Sequence, residues 1–315
     1  MSHRLTREHE NVIPAQAGIQ NAGKGLDSHF RGNDGYVEGF SSERRQEMGI
    51  KKTVYVVFLC ILAEVVLFSS VAQSALTGLD IMKKVEELPQ GDDQKSTVTL
   101  ILTSAQGQEK KIVTSRYWKN NRGKDGFYSK TLFFTNHPPD AKGTGFLIWD
   151  YAEEGKTDGL WLYLPSLRKV SVISTRSQDD AFMGSDLTFA DMGQRRLDED
   201  THELIGEKPC DGKVCYVVES KPKEAGSAYG KRVFWILRDE WRTVRIEYFD
   251  QKKDPLKVQS ITWQKNGDLW VWEKAIVKNL QTGHSTVFEI SDLKINNGLR
   301  DDLFTDRMLK RGEGP

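Results

Sequence analysis

Hydrophobic and polar positions along most of the chain predict one short helix, a long series of strands and a final helical segment. Leu79, Met82, Val85 and Leu88 recur at helical spacing with charged residues between them, and we expect this helix to end at Pro89. Beyond it the period changes to that of strands rich in β-branched and aromatic residues. The predicted strands cover residues 97–104, 109–119, 127–135, 143–151, 159–165, 169–174, 214–221, 230–238, 242–250, 256–265, 270–280 and 285–294.

Short links with turn signals join most of the predicted strands. Pairs such as Asn266-Gly267 favour tight turns between neighbouring strands. Because a parallel crossover needs a dozen or more residues, links of this length favour antiparallel neighbours. We therefore predict a single, mainly β domain over residues 75–315, with a helical segment at about 302–310.

Several predicted strands are apolar at consecutive positions, which indicates that both of their faces are covered. The clearest examples are residues 145–149, 160–164 and 233–237. A strand with one face in water would alternate between apolar and polar residues. Ordinary core packing explains the pattern, and so does a sequestered hydrophobic ligand on one face of the sheet.

The segment at 179–193 interrupts the strand pattern. Long apolar connections inside a β domain are often lids or binding loops. The alternative is a loop tucked into the core, in which Ser185 or Asp186 caps a short helical turn. We interpret Asp186 and Asp191 as turn or cap residues, not as a catalytic carboxylate pair. The lid candidates are Phe182, Met183, Gly184, Leu187, Phe189 and Met192.

An apolar run at 53–71 follows Lys51 and Lys52 and ends in small residues. This is the pattern of a cleaved secretory signal peptide. The run is also long enough for a retained inner-membrane anchor, although Glu64 within it would be costly in a bilayer. We predict a signal peptide over residues 48–74.

Met48 is a natural start for that signal peptide, and residues 1–47 precede it. Parts of residues 1–47 resemble the translation of a dispersed repeat found between genes in many proteobacteria. We therefore predict that residues 1–47 are a mis-annotated extension. The same resemblance suggests a Gram-negative host, in which the exported compartment is the periplasm.

Cys210 and Cys215 flank the turn pair Asp211-Gly212. In an oxidising compartment two thiols across a tight turn favour a disulfide. Free thiols, or a metal or redox site, are the alternatives. Zinc prefers four ligands, and the histidine nearest to this pair is His202, several residues away.

Composition and motifs narrow the class of function. Lys plus Arg and Asp plus Glu number 45 each, so the net charge is zero and a nucleic-acid binder that relies on bulk positive charge is disfavoured. The sequence has no nucleophile elbow, no His-Glu-x-x-His and no phosphate-binding glycine loop. His137, His202 and His284 are far apart along the chain. We expect no enzyme activity, no catalytic residues, no metal and no cofactor.

An ordered series of motifs resembles the LolA-like outer-membrane lipoprotein-sorting protein family. The motifs lie at residues 160–170, 182–192, 229–235, 245–250 and 303–309. The resemblance implies a LolA/LolB-like fold, in which a curved, incompletely closed antiparallel half-barrel of about eleven strands wraps over a few helices. A hydrophobic cavity is expected between the sheet and the helices.

The resemblance also implies a periplasmic carrier for the acyl chains of lipoproteins or lipids. The alternative is an accessory interaction module of an RND-type exporter in the inner membrane. On the carrier hypothesis, the segment at 179–193 is the lid. The candidate cavity residues are Leu147, Trp149, Trp161, Tyr163, Phe234 and Ile246.

Overall fold

A computed structural model describes residues 76–224 and 226–314, so the predictions for residues 1–47 and 48–74 lie outside the described residues. The described chain forms 13 strands, two α-helices and several short 3-10 turns. The strands are β1 Asp93–Thr103, β2 Glu109–Asn120, β3 Phe127–His137, β4 Gly145–Tyr151, β5 Gly159–Leu164, β6 Lys169–Val172, β7 Asp200–Cys210, β8 Lys213–Pro222, β9 Lys231–Leu237, β10 Thr243–Phe249, β11 Pro255–Asn266, β12 Leu269–Asn279 and β13 Ser285–Ile295.

The first helix, α1, spans Gly78–Glu86 and begins at a well-formed cap. The Thr77 hydroxyl accepts the Asp80 backbone N–H, and the Asp80 carboxylate accepts the Thr77 N–H in return. Ile81 and Met82 are buried and pack on β8 and β9. No helix of the described chain is long and apolar enough to cross a membrane.

All thirteen strands belong to one antiparallel sheet, in the order β6-β5-β4-β3-β2-β1-β13-β12-β11-β10-β9-β8-β7. The chain starts in the middle of the sheet, runs outward to one edge at β6, and continues at the opposite edge with β7. It then returns strand by strand until β13 pairs with β1. Since β6 and β7 do not pair, the sheet is not closed into a barrel. The predicted fold class is therefore confirmed, with 13 strands instead of about eleven.

The strand missing from the sequence prediction is β7. It forms one edge of the sheet, where one side of its backbone has no neighbouring strand. Most of its residues are partly or fully exposed, and Gly206 and Pro209 lie within it. Glycine and proline are expected in edge strands and at bulges, and the register shifts between Leu204 and Gly206. A polar strand with this composition lacks the apolar pattern used to identify the others.

Both faces of the sheet are covered in the β2–β5 half. We define the inner face as the one against which residues 173–199, the crossing segment between β6 and β7, are packed. Phe133 and Phe146 lie in the inner core, whereas Leu132 and Leu147 lie in a separate outer core. Adjacent strand residues point to opposite faces, so consecutive apolar residues serve two cores at once.

The C-terminal segment covers the outer face. It contains a 3-10 turn at Asp301–Leu303 and the second helix, α2, at Asp306–Leu309. Phe304 and Leu309 are fully buried in the outer core. The start of this segment is held by Asp93, whose carboxylate accepts the backbone N–H groups of residues 297, 298 and 299.

Candidate functional site

The crossing segment is packed into the inner core by aromatic contacts. The Phe182 ring is fully buried, and its centroid lies 5.0 Å from that of Phe146 and 5.5 Å from that of Phe133. A single β-bridge between Ala181 and Thr188 folds this part of the segment back on itself. In this arrangement the segment is tucked into the core.

A buried ion pair fastens the same segment to β11. Lys257 Nζ lies 2.8 Å from Asp191 Oδ2, and the two side chains are 3% and 7% exposed. The Tyr229 hydroxyl and the Thr188 N–H also donate to Asp191. Burial opposes the charge on Asp191, but Lys257 and these donors outweigh it and hold the pKa of that carboxyl below its ordinary value.

Asp186 makes a second anchor with β13 and the turn before it. Its carboxylate accepts the Thr286 hydroxyl at 2.7 Å and lies 2.7 Å from His284 Nδ1. Lys257 Nζ donates to the Asp186 carbonyl at 2.6 Å, which links the two anchors. Asp191 is a turn residue as predicted, because it exchanges two hydrogen bonds with Thr188. The interpretation of Asp186 and Asp191 is incomplete, however, because distant strands supply further partners to both.

A cavity of about 420 Å³ lies on the inner face, beside the crossing segment and under α1. Its volume is within the range of small-molecule sites in proteins. Apolar and aromatic side chains form most of its wall. They include Met82, Val85, Leu88, Trp118, Phe133, Leu187, Met192, Phe234, Ile246, Ile261, Trp263, Trp272, Phe288 and Ile290.

The structure brings only two of the six predicted cavity residues to this cavity, namely Phe234 and Ile246. The other four lie on the outer face, and this corrects the prediction. Both faces of β4 and β5 are apolar, so hydrophobicity did not distinguish the inner set from the outer one. The four outer-face residues are Leu147, Trp149, Trp161 and Tyr163.

The predicted lid residues are distributed over the crossing segment in different surroundings. Leu187 and Met192 line the cavity, whereas Phe182 and Met183 pack in the inner core. Phe189 contacts the ring of Phe182 with centroids 5.7 Å apart. Gly184 has a positive φ of 77° in the 3-10 turn Phe182–Gly184, a conformation that glycine adopts without strain.

Charged groups form one part of the cavity wall. Burial raises the pKa of Asp150 to about 6, although Ser129 and the Gln194 N–H both donate to its carboxylate. Asp158 does not line this cavity, and burial, followed by the nearby Asp150, raises its pKa to about 7. A Cβ atom at position 193 would lie 2.7 Å from Asp150 Oδ1, so Gly193 permits this close approach of the backbone.

A second pocket of about 490 Å³ lies on the other side of the crossing segment. Charged side chains make up much of its lining. Arg195 and Arg232 line both pockets, and both bind Asp200, which lies in the wall of the first cavity. The stretch from Ala190 to Arg196 contributes to both pockets. The crossing segment is therefore the wall between an apolar and a charged compartment.

The remaining sequence candidates lie away from the cavity or are already satisfied. Cys210 and Cys215 are bonded to each other across the β7–β8 hairpin, with Cα atoms 6.0 Å apart. His202 lines the cavity wall, but its two ring nitrogens lie 2.7 Å from Ser220 Oγ and 2.9 Å from the Leu197 carbonyl. Within residues 76–224 and 226–314, no group of three or more His, Cys, Asp and Glu side chains could hold a metal ion.

Sequence reasoning missed the charged residues of the site, above all Lys257 and Arg116. Each lies on an inner-facing position of its strand, in phase with buried residues. On β2 the series Ile112, Thr114, Arg116 and Trp118 points inward. A lone cation in phase with a buried stripe is the signal that could have identified them.

An open antiparallel sheet whose inner face holds an apolar cavity beside a crossing segment defines the class of LolA-like half-barrels. The model of a family described as "Uncharacterized protein" matches residues 128–311, more than half of the chain. The chain belongs to that family, and it is similar to solved structures of an outer-membrane lipoprotein-sorting domain and of a DUF1329 family protein.

Three solved structures share this fold. A domain from Vibrio parahaemolyticus assigned to outer-membrane lipoprotein sorting is 28% identical, with a TM-score of 0.70 over 74% of this chain and 98% of its own. A DUF1329 family protein from Desulfovibrio piger is also 28% identical, with a TM-score of 0.69 over 74% and 97%. A LolA superfamily protein from Nitrosomonas europaea, 18% identical over 74% and 100%, has a TM-score of 0.59 and shows the fold alone. No curated protein matches the sequence.

Proposed function

We propose that this protein is a periplasmic binding or carrier protein for the acyl chains of lipoproteins or lipids. The observation that carries the proposal is the apolar cavity of about 420 Å³ on the inner face. The Vibrio parahaemolyticus relative, whose description is outer-membrane lipoprotein sorting, supports the same role.

The energetics of acyl chains suit such a cavity. A chain of about 16 carbons gains on the order of 12 kcal/mol gross when it leaves water, at about 0.8 kcal/mol per methylene. A concave apolar site collects much of that free energy, whereas a flat surface does not. Trp118, Phe234 and Phe288 supply large apolar areas on three separate strands of the wall.

Release requires a part of the wall that can change. The crossing segment is the candidate, because Leu187 and Met192 contact the cavity from a connection without long helices or strands. Its buried anchors at Asp186 and Asp191 define a closed arrangement. In the proposal, lid opening breaks these anchors and lowers the affinity for the acyl chain.

Binding without catalysis is part of the proposal. A carrier needs apolar contact and release, and neither requires a nucleophile or a general base. His202 and His284 are engaged in hydrogen bonds to different elements. The periplasm is proposed because residues 48–74 read as a signal peptide, and because a bonded Cys210–Cys215 pair suits an oxidising compartment.

The test is extraction of the purified mature protein with organic solvent, followed by lipid mass spectrometry. We expect stoichiometric recovery of lipid or of acylated peptide. A protein that yields no lipid and does not bind a fluorescent fatty acid would contradict the proposal. The second hypothesis, an accessory module of an RND-type exporter, stays a prediction that co-purification with such a transporter would test.

A further inference from the structure

Arg116 differs from the other arginines of the cavity wall, because those arginines bind carboxylates and Arg116 binds none in the described chain. Arg195 and Arg232 pair with Asp200, and Arg196 pairs with Glu199. Arg116 makes no ion pair with any described residue. Its hydrogen bond from Nη1 goes to the neutral amide oxygen of Gln94, at 3.0 Å.

The surroundings of Arg116 hold its guanidinium against the cavity. It lies on the inner face of β2, between the buried Thr114 and Trp118, and the Trp118 ring centroid is 5.9 Å away. Gln94 is itself fixed, because its Nε2 donates to the Gln90 carbonyl at 2.9 Å. Burial lowers the pKa of Arg116 to about 10, so the side chain remains a cation at neutral pH.

Asp150 is the carboxylate whose charge acts on Arg116, but it is already engaged. Ser129 and the Gln194 N–H donate to its two oxygens. The Arg116 side chain therefore lines the cavity with no carboxylate of the described residues bound to its guanidinium. A guanidinium presents a planar fork that matches a carboxylate or a phosphate in bidentate fashion.

The apolar part of the wall continues away from this cation. Ile246, Ile261 and Phe288 lie on β10, β11 and β13, and Val85 lies on α1. A cavity with one unpaired cation and a long apolar wall is complementary to an amphiphile with a single anionic group. A neutral acyl ester would leave the cation unpaired and partly desolvated.

We infer that Arg116 binds the anionic headgroup, a carboxylate or a phosphate, of an amphiphile whose acyl chain fills the cavity. This inference rests on the proposed function and narrows its ligand to anionic lipids. The Gln94 amide orients the guanidinium, and Trp118 forms the boundary between the headgroup and the acyl chain.

The experiment compares a charged probe with its neutral twin. Dansylamino-undecanoic acid and its methyl ester are titrated into delipidated mature protein, the Arg116→Gln variant and the Arg122→Gln variant. Arg122 is a matched control, because it lies just beyond the end of β2, is exposed and pairs with Asp92. We expect the wild type to prefer the acid by on the order of 10- to 100-fold, the scale of charge-assisted hydrogen bonds. Arg116→Gln should abolish that preference by weakening acid binding, while the ester, which no longer leaves a cation unpaired, should bind at least as tightly as before. Arg122→Gln should keep the preference.

Equal binding of acid and ester by the wild type, or a preference that survives in Arg116→Gln, would overturn the inference and leave the proposed function standing. Binding of neither probe would overturn both. If Arg116→Gln also fails to bind the ester, the same titrations are made with Arg116→Lys. A preference for the acid in Arg116→Lys supports the inference, and its absence overturns the inference.

Displacement of the acid probe identifies the source of the anion. Competition by oleate supports a fatty-acid carboxylate, and competition by dioleoyl phosphatidate supports a phospholipid phosphate. Either result supports the inference if it depends on Arg116. Displacement by neutral monoolein alone would overturn it.

Discussion

Lys257 Nζ on β11 lies 2.8 Å from Asp191 Oδ2 on the crossing segment, and both side chains are almost completely removed from solvent. The same Lys257 ammonium lies 4.6 Å from the ring centroid of Tyr248 and 4.9 Å from that of Tyr229. Lys257 thus balances the charge of Asp191 on the crossing segment, which forms part of the cavity wall. We expect the stability of the domain to depend on this contact. In the proposed function, the closure of the site depends on it as well.

Replacing Lys257 with Met should destabilise the protein strongly. The substitution leaves Asp191 buried without its counter-charge, a change that typically costs about 3–5 kcal/mol. The measurement is the free energy of unfolding from urea titrations of wild type and variant. Lys274→Met is the control, because its pair with Glu289 is partly exposed and should contribute about 1 kcal/mol or less. Similar losses in the two variants would contradict the role given to the buried pair.

Phe182→Ala should also destabilise the domain, by about 3–5 kcal/mol, because it removes a fully buried ring from a cluster of aromatic side chains. Leu167→Ala, at a residue that is 66% exposed, provides the comparison and should change stability by less than about 0.5 kcal/mol. Thermal unfolding followed by circular dichroism measures both. An unchanged melting temperature in Phe182→Ala would show that the crossing segment is not part of the packed core.

Asp150 should make the protein less stable as the pH rises from about 4 to about 6. Its pKa is raised by burial from 3.8 to about 6, so the folded state holds a proton that the unfolded state has lost in that interval. A pKa difference of about two between the folded and unfolded states corresponds to on the order of 3 kcal/mol in the free energy of unfolding. Asp150→Asn should therefore be more stable than wild type at pH 7, and the advantage should shrink towards pH 4.

Asp93→Asn is the matched control with the opposite sign. Burial opposes the charge of Asp93, but the N–H groups of residues 297–299 prevail and hold its pKa below the ordinary value. The contribution of Asp93 to stability is fully present above its pKa in the unfolded state. It disappears as the pH falls through its lower pKa in the folded state. The variant should be less stable than wild type at pH 7 and similar at low pH. Urea titrations at several pH values measure both, and parallel profiles for the two variants would contradict the assignment.

The fold could be predicted further than the site. Twelve of the thirteen strands are visible as alternating or doubly apolar runs, and β7 was missed because an exposed edge strand has no such run. The hydrophobic pattern does not show which face of β4 points inward, since Phe146 and Leu147 are equally apolar and are buried in different cores. The faces differ in what covers them: the C-terminal segment packs against Leu147, and the crossing segment packs against Phe146.

The charged residues of the site were harder still to predict from the sequence. Apart from Thr188, the partners of the Asp186 and Asp191 carboxylates lie 38 to 100 residues away along the chain, so no local spacing indicates them. The sequence shows that Arg116 is in phase with the buried residues of β2, but it does not show the partners of its guanidinium. Partners of this kind are set by the register of the whole sheet, which the sequence pattern does not specify.

The central claim is that the inner cavity binds acyl chains, and one substitution pair on α1 tests it directly. Val85 lines the cavity, whereas Leu79 on the same helix is 38% exposed and does not. Val85→Trp fills the cavity, and Leu79→Trp adds the same side chain to the exposed surface. The measurement is a fluorescence titration of a dansylated fatty acid into wild type and both variants. We predict saturable 1:1 binding by the wild type and Leu79→Trp, and affinity lower by about tenfold or more in Val85→Trp. Equal affinities in all three proteins, or no saturable binding by the wild type, would contradict the account.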